Sequence, residues 1–273
     1  MSRAALLTVL LLALGVAAAL PVTRSLFADP EVQRQAVLWG LPVAAMVLSL
    51  ALFPRLLRPA EVAAARPGRR VLLLSACAVA LLLDQSFLVV GYFTHWTTFT
   101  QGAGGLALTA LWALPACLVL SIWGWERALR GAVYTGWRQG LPAPAALAIS
   151  IVTGAVLALP ILLPRGELPD AAFVAGMLAA VLCRELSFAL LFRNGGGLLV
   201  AGLYRGALTF VEAFVVADWY SLFSPAFNYV TGSALIYIVR TAGALLAAGV
   251  IVWVTQASPV LSIEKVGETA KTG

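Results

Sequence analysis

The chain has 273 residues, of which 62% are apolar and 11% charged, and its mean hydropathy is +0.96. These proportions exclude a soluble globular enzyme and a disordered chain, and they predict an all-α polytopic membrane protein. The net charge of +6 comes from 18 Lys and Arg against 12 Asp and Glu, without the basic and aromatic interleaving of a nucleic-acid surface. Nucleic acid is therefore excluded as a partner, and the expected environment is the lipid bilayer, whose anionic surface attracts basic loops.

A hydrocarbon core needs about 20 apolar residues per helix. Eight stretches meet that requirement: 4–22, 36–57, 71–92, 106–122, 141–163, 171–192, 198–217 and 233–254. The first has a rival reading, since Arg3, a short apolar run and the small residues Val16 to Ala19 also resemble a cleavable signal peptide. After the third comes His95, the single histidine, among Tyr92, Phe93, Trp96 and Phe99, where an interfacial position is expected. The fourth is the shortest. Gly195, Gly196 and Gly197 predict a tight turn between the sixth and seventh, and Gly202 with Gly206 predicts close approach of the seventh helix to a neighbour. Residues 219–231 are aromatic and uncharged, as expected at the outer interface. The whole is one integral membrane domain, 1–273, with N-terminal helices in 1–105, a helical core in 106–254 and a polar tail in 255–273.

Lys and Arg accumulate in cytoplasmic loops. With both termini cytoplasmic, the inner segments hold 12 of the 18 basic residues, among them Arg127, Arg130 and Arg138, and the outer loops hold only Arg24, Arg34 and Arg165. Arg outnumbers Lys 16 to 2 and the spans are rich in Ala, which suggests a GC-rich bacterial genome and a multi-pass protein of the bacterial inner membrane. Cys77, Cys117 and Cys183 lie in apolar spans without CxxC spacing, as small core residues would. With one His and three scattered Cys, neither a cofactor nor a metal is expected.

Six ionisable residues fall inside the apolar stretches and sum to zero: Asp84, Arg184, Glu185, Arg205, Glu212 and Arg240. A charge at bilayer depth is costly, so each needs a partner or a polar cavity. At a rise of about 1.5 Å per residue, Glu185 and Arg205 lie roughly 10 and 11 Å from the inner ends of their spans. Asp84 and Arg240 come out near the outer third with Glu212 in reach, which predicts an inner and an outer ionic cluster. Such clusters either fix helix register or line a cavity with a role in binding or catalysis.

The strongest local motif runs from Trp125 through Glu126, Arg127, Ala128, Leu129 and Arg130 to Gly131, at the expected cytoplasmic end of the fourth span. Glu126 and Arg130 are four apart on one helix face, so an ion pair accounts for them. The segment also resembles the first motif, Glu-Glu-x-x-x-Arg followed by Gly, of the CPBP family, the CAAX-protease and bacteriocin-processing intramembrane proteases. Trp125 stands where the family has its first Glu. The resemblance covers about 106–254 and implies a CPBP-like helical core. In that family, later Phe-x-x-x-His and His-x-x-x-Asn motifs complete a site where Glu and His activate water and His with Asn steadies the oxyanion.

The second motif falls near Pro160, where there is no His, and the third falls on Arg205 and Thr209, with Arg for His and Thr for Asn. A second register sets Phe188 to Phe192 on the middle motif and Arg240 on the last His, and it too lacks every histidine. The resemblance thus implies a degenerate site of Glu126, Arg130, Arg205 and Thr209, and a pseudoenzyme serving as accessory or scaffold to another membrane protein. Two alternatives stay open. One is an active intramembrane protease that uses Glu126 on a membrane-tethered peptide, and the other is a transporter or permease subunit that uses the buried charges.

Overall fold

A computed structural model describes Leu26 and residues 30–52, 67–93, 97–99, 103–162, 171–212, 216–217, 227–229 and 234–257. The first predicted span, His95, Thr231 and the polar tail beyond residue 257 lie outside the described residues.

Helices occupy the other seven predicted spans. Helix α1 is Pro30–Leu52, α2 is Pro67–Asp84, and α3, Ser86–Phe93, continues α2 after a single turn residue, Gln85. Helix α4, Ala103–Val119, runs into a π-helical segment π1, Leu120–Tyr134, and a last turn α5, Thr135–Arg138. Helix α6 is Ala143–Leu162, α7 is Ala171–Leu191 with a π turn Phe192–Gly196, α8 is Gly197–Phe210, and α9 is Ala234–Ala257. The start signals are local: Pro30 and Pro67 open α1 and α2, where the missing N–H costs nothing, and Pro142 accepts from the Ala146 N–H at 3.1 Å as α6 begins.

Four helical stretches are long and apolar enough to cross a membrane, over Gly68–Leu88, Ala107–Arg138, Ala175–Phe210 and Ile238–Gln256, and two shorter apolar ones cover Trp39–Ala51 and Ala143–Ala158. Their outer faces are greasy: Leu82, Leu111 and Trp253 are 74, 76 and 70% exposed, which suits lipid and would be costly in water. Several hydroxyls within the helices are satisfied by their own backbone, as with Thr153 Oγ1 on the Ile149 carbonyl at 2.8 Å and Ser187 Oγ on that of Cys183 at 2.9 Å.

The third of these stretches is a hairpin. Asn194 (φ −91°, ψ 24°) and Gly195 (φ 97°) leave helical geometry, Gly197 has φ 63°, and the chain doubles back so that Arg205 on α8 meets Glu185 on α7. Positive φ at Gly195 and Gly197 is open to glycine and strained for other residues. Arg69 Nε, at the start of α2, donates to the Asn194 carbonyl at 2.6 Å and ties this turn to the neighbouring helix end.

The described residues are almost wholly helical, with one small exception at the opposite end of the bundle. Strand β1, Thr97–Phe99, pairs antiparallel with β3, Phe227–Tyr229, and β2, Val216–Ala217, pairs parallel with β3. Strands β1 and β2, which follow α3 and α8 in sequence, therefore lie at one end, and the α7–α8 turn at the other.

The α7–α8 hairpin sits centrally. Helix α9 packs on α2 and α7, while π1 packs on α1 and α8, and α6 joins α7 to π1. Gly202 and Gly206 face α4 and π1: a Cβ on Gly202 would collide with Ile122, and one on Gly206 would come within 2.8 Å of the Leu118 Cα. Close backbone approach is what small residues at helix crossings permit. Gly124 likewise abuts the Pro42 carbonyl and sets α1 against π1. The larger core cluster joins Leu73, Phe188, Tyr204 and Ile251 from α2, α7, α8 and α9. Cys77 and Cys117 are buried free thiols, and Cys183 is a half-buried one.

Two expectations are corrected. The fourth span is not the shortest but one of the longest, because helical winding continues through Trp125–Arg138. The charges in that segment read as the start of a cytoplasmic loop, but the surrounding helices absorb those of its first part and leave only Arg138 exposed. Arg127 and Arg130 are buried, and removing these two from the twelve inner basic residues leaves ten against three.

Candidate functional site

Glu126 was expected at the inner surface; it is fully buried, on the face of π1 turned toward α6, α7 and α8. Segment π1 is buried almost all round from Glu126 to Tyr134, so its polar groups must find partners on other helices.

The first ionic network joins four helices. Arg130 Nη2 lies 2.5 Å from Glu185 Oε2 and also donates to the Glu185 carbonyl at 3.1 Å, while its Nη1 donates to Ser150 Oγ at 2.7 Å and to the Ser150 carbonyl at 3.1 Å. Ser150 Oγ in turn donates to the Leu129 carbonyl at 3.0 Å. Arg205 enters from α8: Nε donates to Glu126 Oε1 at 2.6 Å, Nη1 lies 2.8 Å from Glu185 Oε1, and Nη2 donates to Glu185 Oε2 at 2.9 Å. The Arg205 guanidinium also sits over the Phe188 ring, 4.1 Å from its centroid.

The expected Glu126–Arg130 pair on one helix face is present but long, at 3.6 Å, and Glu126 Oε2 and Arg130 Nε make no hydrogen bond. Each residue takes its short bonds from another helix. Two carboxylates and two guanidiniums thus close a ring of zero formal charge, which is the condition for keeping such groups out of water.

The second network lies toward the sheet end. Arg184 holds Asp84 through two parallel bonds, Nε to Oδ1 at 3.0 Å and Nη2 to Oδ2 at 2.7 Å, the geometry that makes Arg–carboxylate pairs strong. Its Nη1 lies 2.5 Å from Glu212 Oε1, which also accepts from Arg240 Nη2 at 2.6 Å. Gln85 Nε2 donates to Asp84 Oδ2 at 2.7 Å from the break between α2 and α3. This network is neutral too.

The structure therefore brings Glu185 together with Arg205, and Asp84 with Glu212 and Arg240. Arg184 goes with the Asp84 set although it adjoins Glu185 in sequence, because neighbouring residues on a helix point about 100° apart. Thr209 stands one turn beyond Arg205 on α8 and joins neither ring.

Sequence reasoning missed Ser150 and Gly154 on α6. Gly154 leaves room for the Glu185 carboxylate, with which a Cβ there would collide. The available signal was a Ser and a Gly four apart in an otherwise apolar helix, a spacing that aligns them on one face. Gly243 does the same on α9, where a Cβ would come within 2.6 Å of the Leu83 carbonyl beside the Asp84 break.

Between the two rings lies a half-open cavity of about 120 Å³. Arg184 and Glu212 border it from the Asp84 network, and Glu185 and Arg205 from the Glu126 network. Ser121 and Thr209 add hydroxyls, and Trp39, Trp125 and Phe188 add aromatic walls. Among the described residues no group of three or more His, Cys, Asp or Glu is placed to hold a metal ion.

Both oxygens of Glu185, the one carboxylate of this ring on the cavity wall, accept from guanidinium groups, and Oε1 of Glu126 does as well, while Glu126 Oε2 is buried away from the cavity lining without a hydrogen bond. The chain matches no family model, no curated protein and no solved structure.

Proposed function

We propose that this is a non-hydrolytic, eight-span protein of a bacterial inner membrane with both termini cytoplasmic, acting as an accessory or scaffold subunit beside another membrane protein. The observation that carries this reading is the Arg205–Glu126 bond at 2.6 Å. In the CPBP-like reading, Arg205 replaces the histidine that would work with the first-motif Glu on a water molecule. A guanidinium in that place can hold a carboxylate but cannot relay a proton. What the substitution removes in catalysis it supplies in rigidity, because Arg205 bridges π1, α7 and α8.

Copurification from native membranes in mild detergent tests this. A stoichiometric membrane-protein partner, lost on Glu126→Ala combined with Arg205→Ala, is the expected result. Partner binding and stability both untouched by that pair of substitutions would remove any role for the site. Protease activity is measured alongside: cleavage of a membrane-tethered peptide that disappears in Glu126→Gln, with the fold intact, would overturn the non-hydrolytic reading.

The cavity between two charge networks favours a second reading, a transporter or permease subunit. It predicts solute flux in proteoliposomes that is abolished by Asp84→Asn or Arg240→Gln.

A further inference from the structure

A half-open pocket of about 120 Å³ beside buried charges is large by the standard of close-packed interiors, since one water needs roughly 10–15 Å³ of such space. Genuinely empty cavities are apolar, so a polar one holds water or a ligand. Its walls are of two kinds. Phe188 and Leu208 are wholly apolar and the rings of Trp39 and Trp125 are largely so, whereas the charged side chains and the hydroxyls of Ser121 and Thr209 require polar company.

The charge of the occupant follows from the rings. Arg184 is held by Asp84 and Glu212, and Arg205 by Glu126 and Glu185. Glu185 holds Arg130 and Arg205, and Glu212 holds Arg184 and Arg240. Every charged residue on the wall already has two opposite partners. An anion or cation entering here would break an ion pair and leave one charge uncompensated at bilayer depth. A neutral head has no such cost. The two short bonds to Glu212 both end on Oε1, so Oε2 retains acceptor capacity for a donor.

We propose that this pocket binds the head of an uncharged amphiphile, a hydroxyl or amide that lies between the two ionic networks beside Thr209, with the first part of its apolar chain on Trp39, Trp125 and Phe188 and the remainder leaving through the open side. The assignment goes beyond the accessory role and is independent of it, since the ligand can bind whether or not a protein partner exists.

The test is photolabelling of the full-length protein in lipid nanodiscs with a diazirine-bearing long-chain alcohol, and with the carboxylate and the ammonium of the same chain. The expected result is labelling of peptides that carry Trp39 to Pro42 and Gly154 to Ala158, competed by unlabelled long-chain alcohol or monoacylglycerol and at least tenfold weaker with both charged probes. Ala158→Phe, which fills the cavity without touching either ring, should reduce labelling tenfold. Thr209→Val, close to isosteric, should weaken the alcohol severalfold and leave a matched alkyl methyl ether less affected. Labelling spread over the lipid-facing positions Leu82, Leu111 and Trp253 only, equal labelling by a charged probe, or a pattern unchanged in a folded Thr209→Val protein would each overturn the assignment. No cavity labelling by any probe would mean a water-filled space and would overturn it as well.

Discussion

Replacing Arg205 by Met keeps most of the side-chain volume and removes one positive charge from the inner ring. The ring then holds Glu126 and Glu185 against Arg130 alone, a net charge of −1 in a site where Glu126 and Arg130 are fully buried and Glu185 is nearly so. Breaking a buried pair by removing one partner costs about 3–5 kcal/mol. Glu126→Gln alone leaves the opposite imbalance and, by the same argument, costs about 3 kcal/mol.

The double variant is neutral again, because the Arg130–Glu185 contact at 2.5 Å survives. Its loss is then the three polar contacts of Arg205, at about 0.6 kcal/mol each for bonds inside a membrane protein, or about 2 kcal/mol in all. Simple addition of the single losses gives about 6 kcal/mol or more, so the expected coupling is well over 2 kcal/mol in the stabilising direction. Reversible unfolding of the four proteins in mixed micelles by an SDS titration measures it. Losses that add within about 0.5 kcal/mol would mean that the charges do not act as one ring.

Asp84→Asn keeps the shape of the outer site but leaves Arg184 and Arg240 facing Glu212 alone; a loss of about 3 kcal/mol, largely restored by adding Arg184→Gln, is expected in the same titration. Gly154→Ala places a methyl group where the Glu185 carboxylate lies, and overpacking of this kind costs about 1–3 kcal/mol; Glu185→Ala in the same chain should make the added methyl nearly neutral. Gly206→Val should collide with the Leu118 backbone and push α8 from α4, read as a loss of stability in the same titration. Gly195→Ala, at φ 97°, should cost about 1 kcal/mol, whereas Gly249→Ala, which meets open space on α9, should be neutral or slightly stabilising.

Residue pattern alone determined the helical membrane class and the approximate bounds of seven helices. Apolar runs of membrane length bounded by Pro, Gly and charge are a local signal, and a bilayer leaves the backbone few alternatives to helix. It also determined that Asp84, Arg184, Glu185, Arg205, Glu212 and Arg240 need partners, because a lone charge at that depth is too costly to keep. The turn at Gly195 to Gly197 was legible for the same reason, as a demand that one residue type meets cheaply.

Only the tertiary structure decided which charge meets which. Arg184 and Glu185 are consecutive, yet their side chains leave α7 in different directions and belong to different rings. Trp125–Arg138 looks like a helix end with three basic residues beside water, but α1, α6, α7 and α8 close over its first part and turn it into the middle of the bundle. Ser150, Gly154 and Gly243 carry no mark in an apolar helix until the carboxylate, guanidinium or carbonyl they admit arrives from another one. Pairing of this kind depends on rotation about each helix axis and on which helices adjoin. Both are fixed by packing over many residues, whereas hydropathy records only depth.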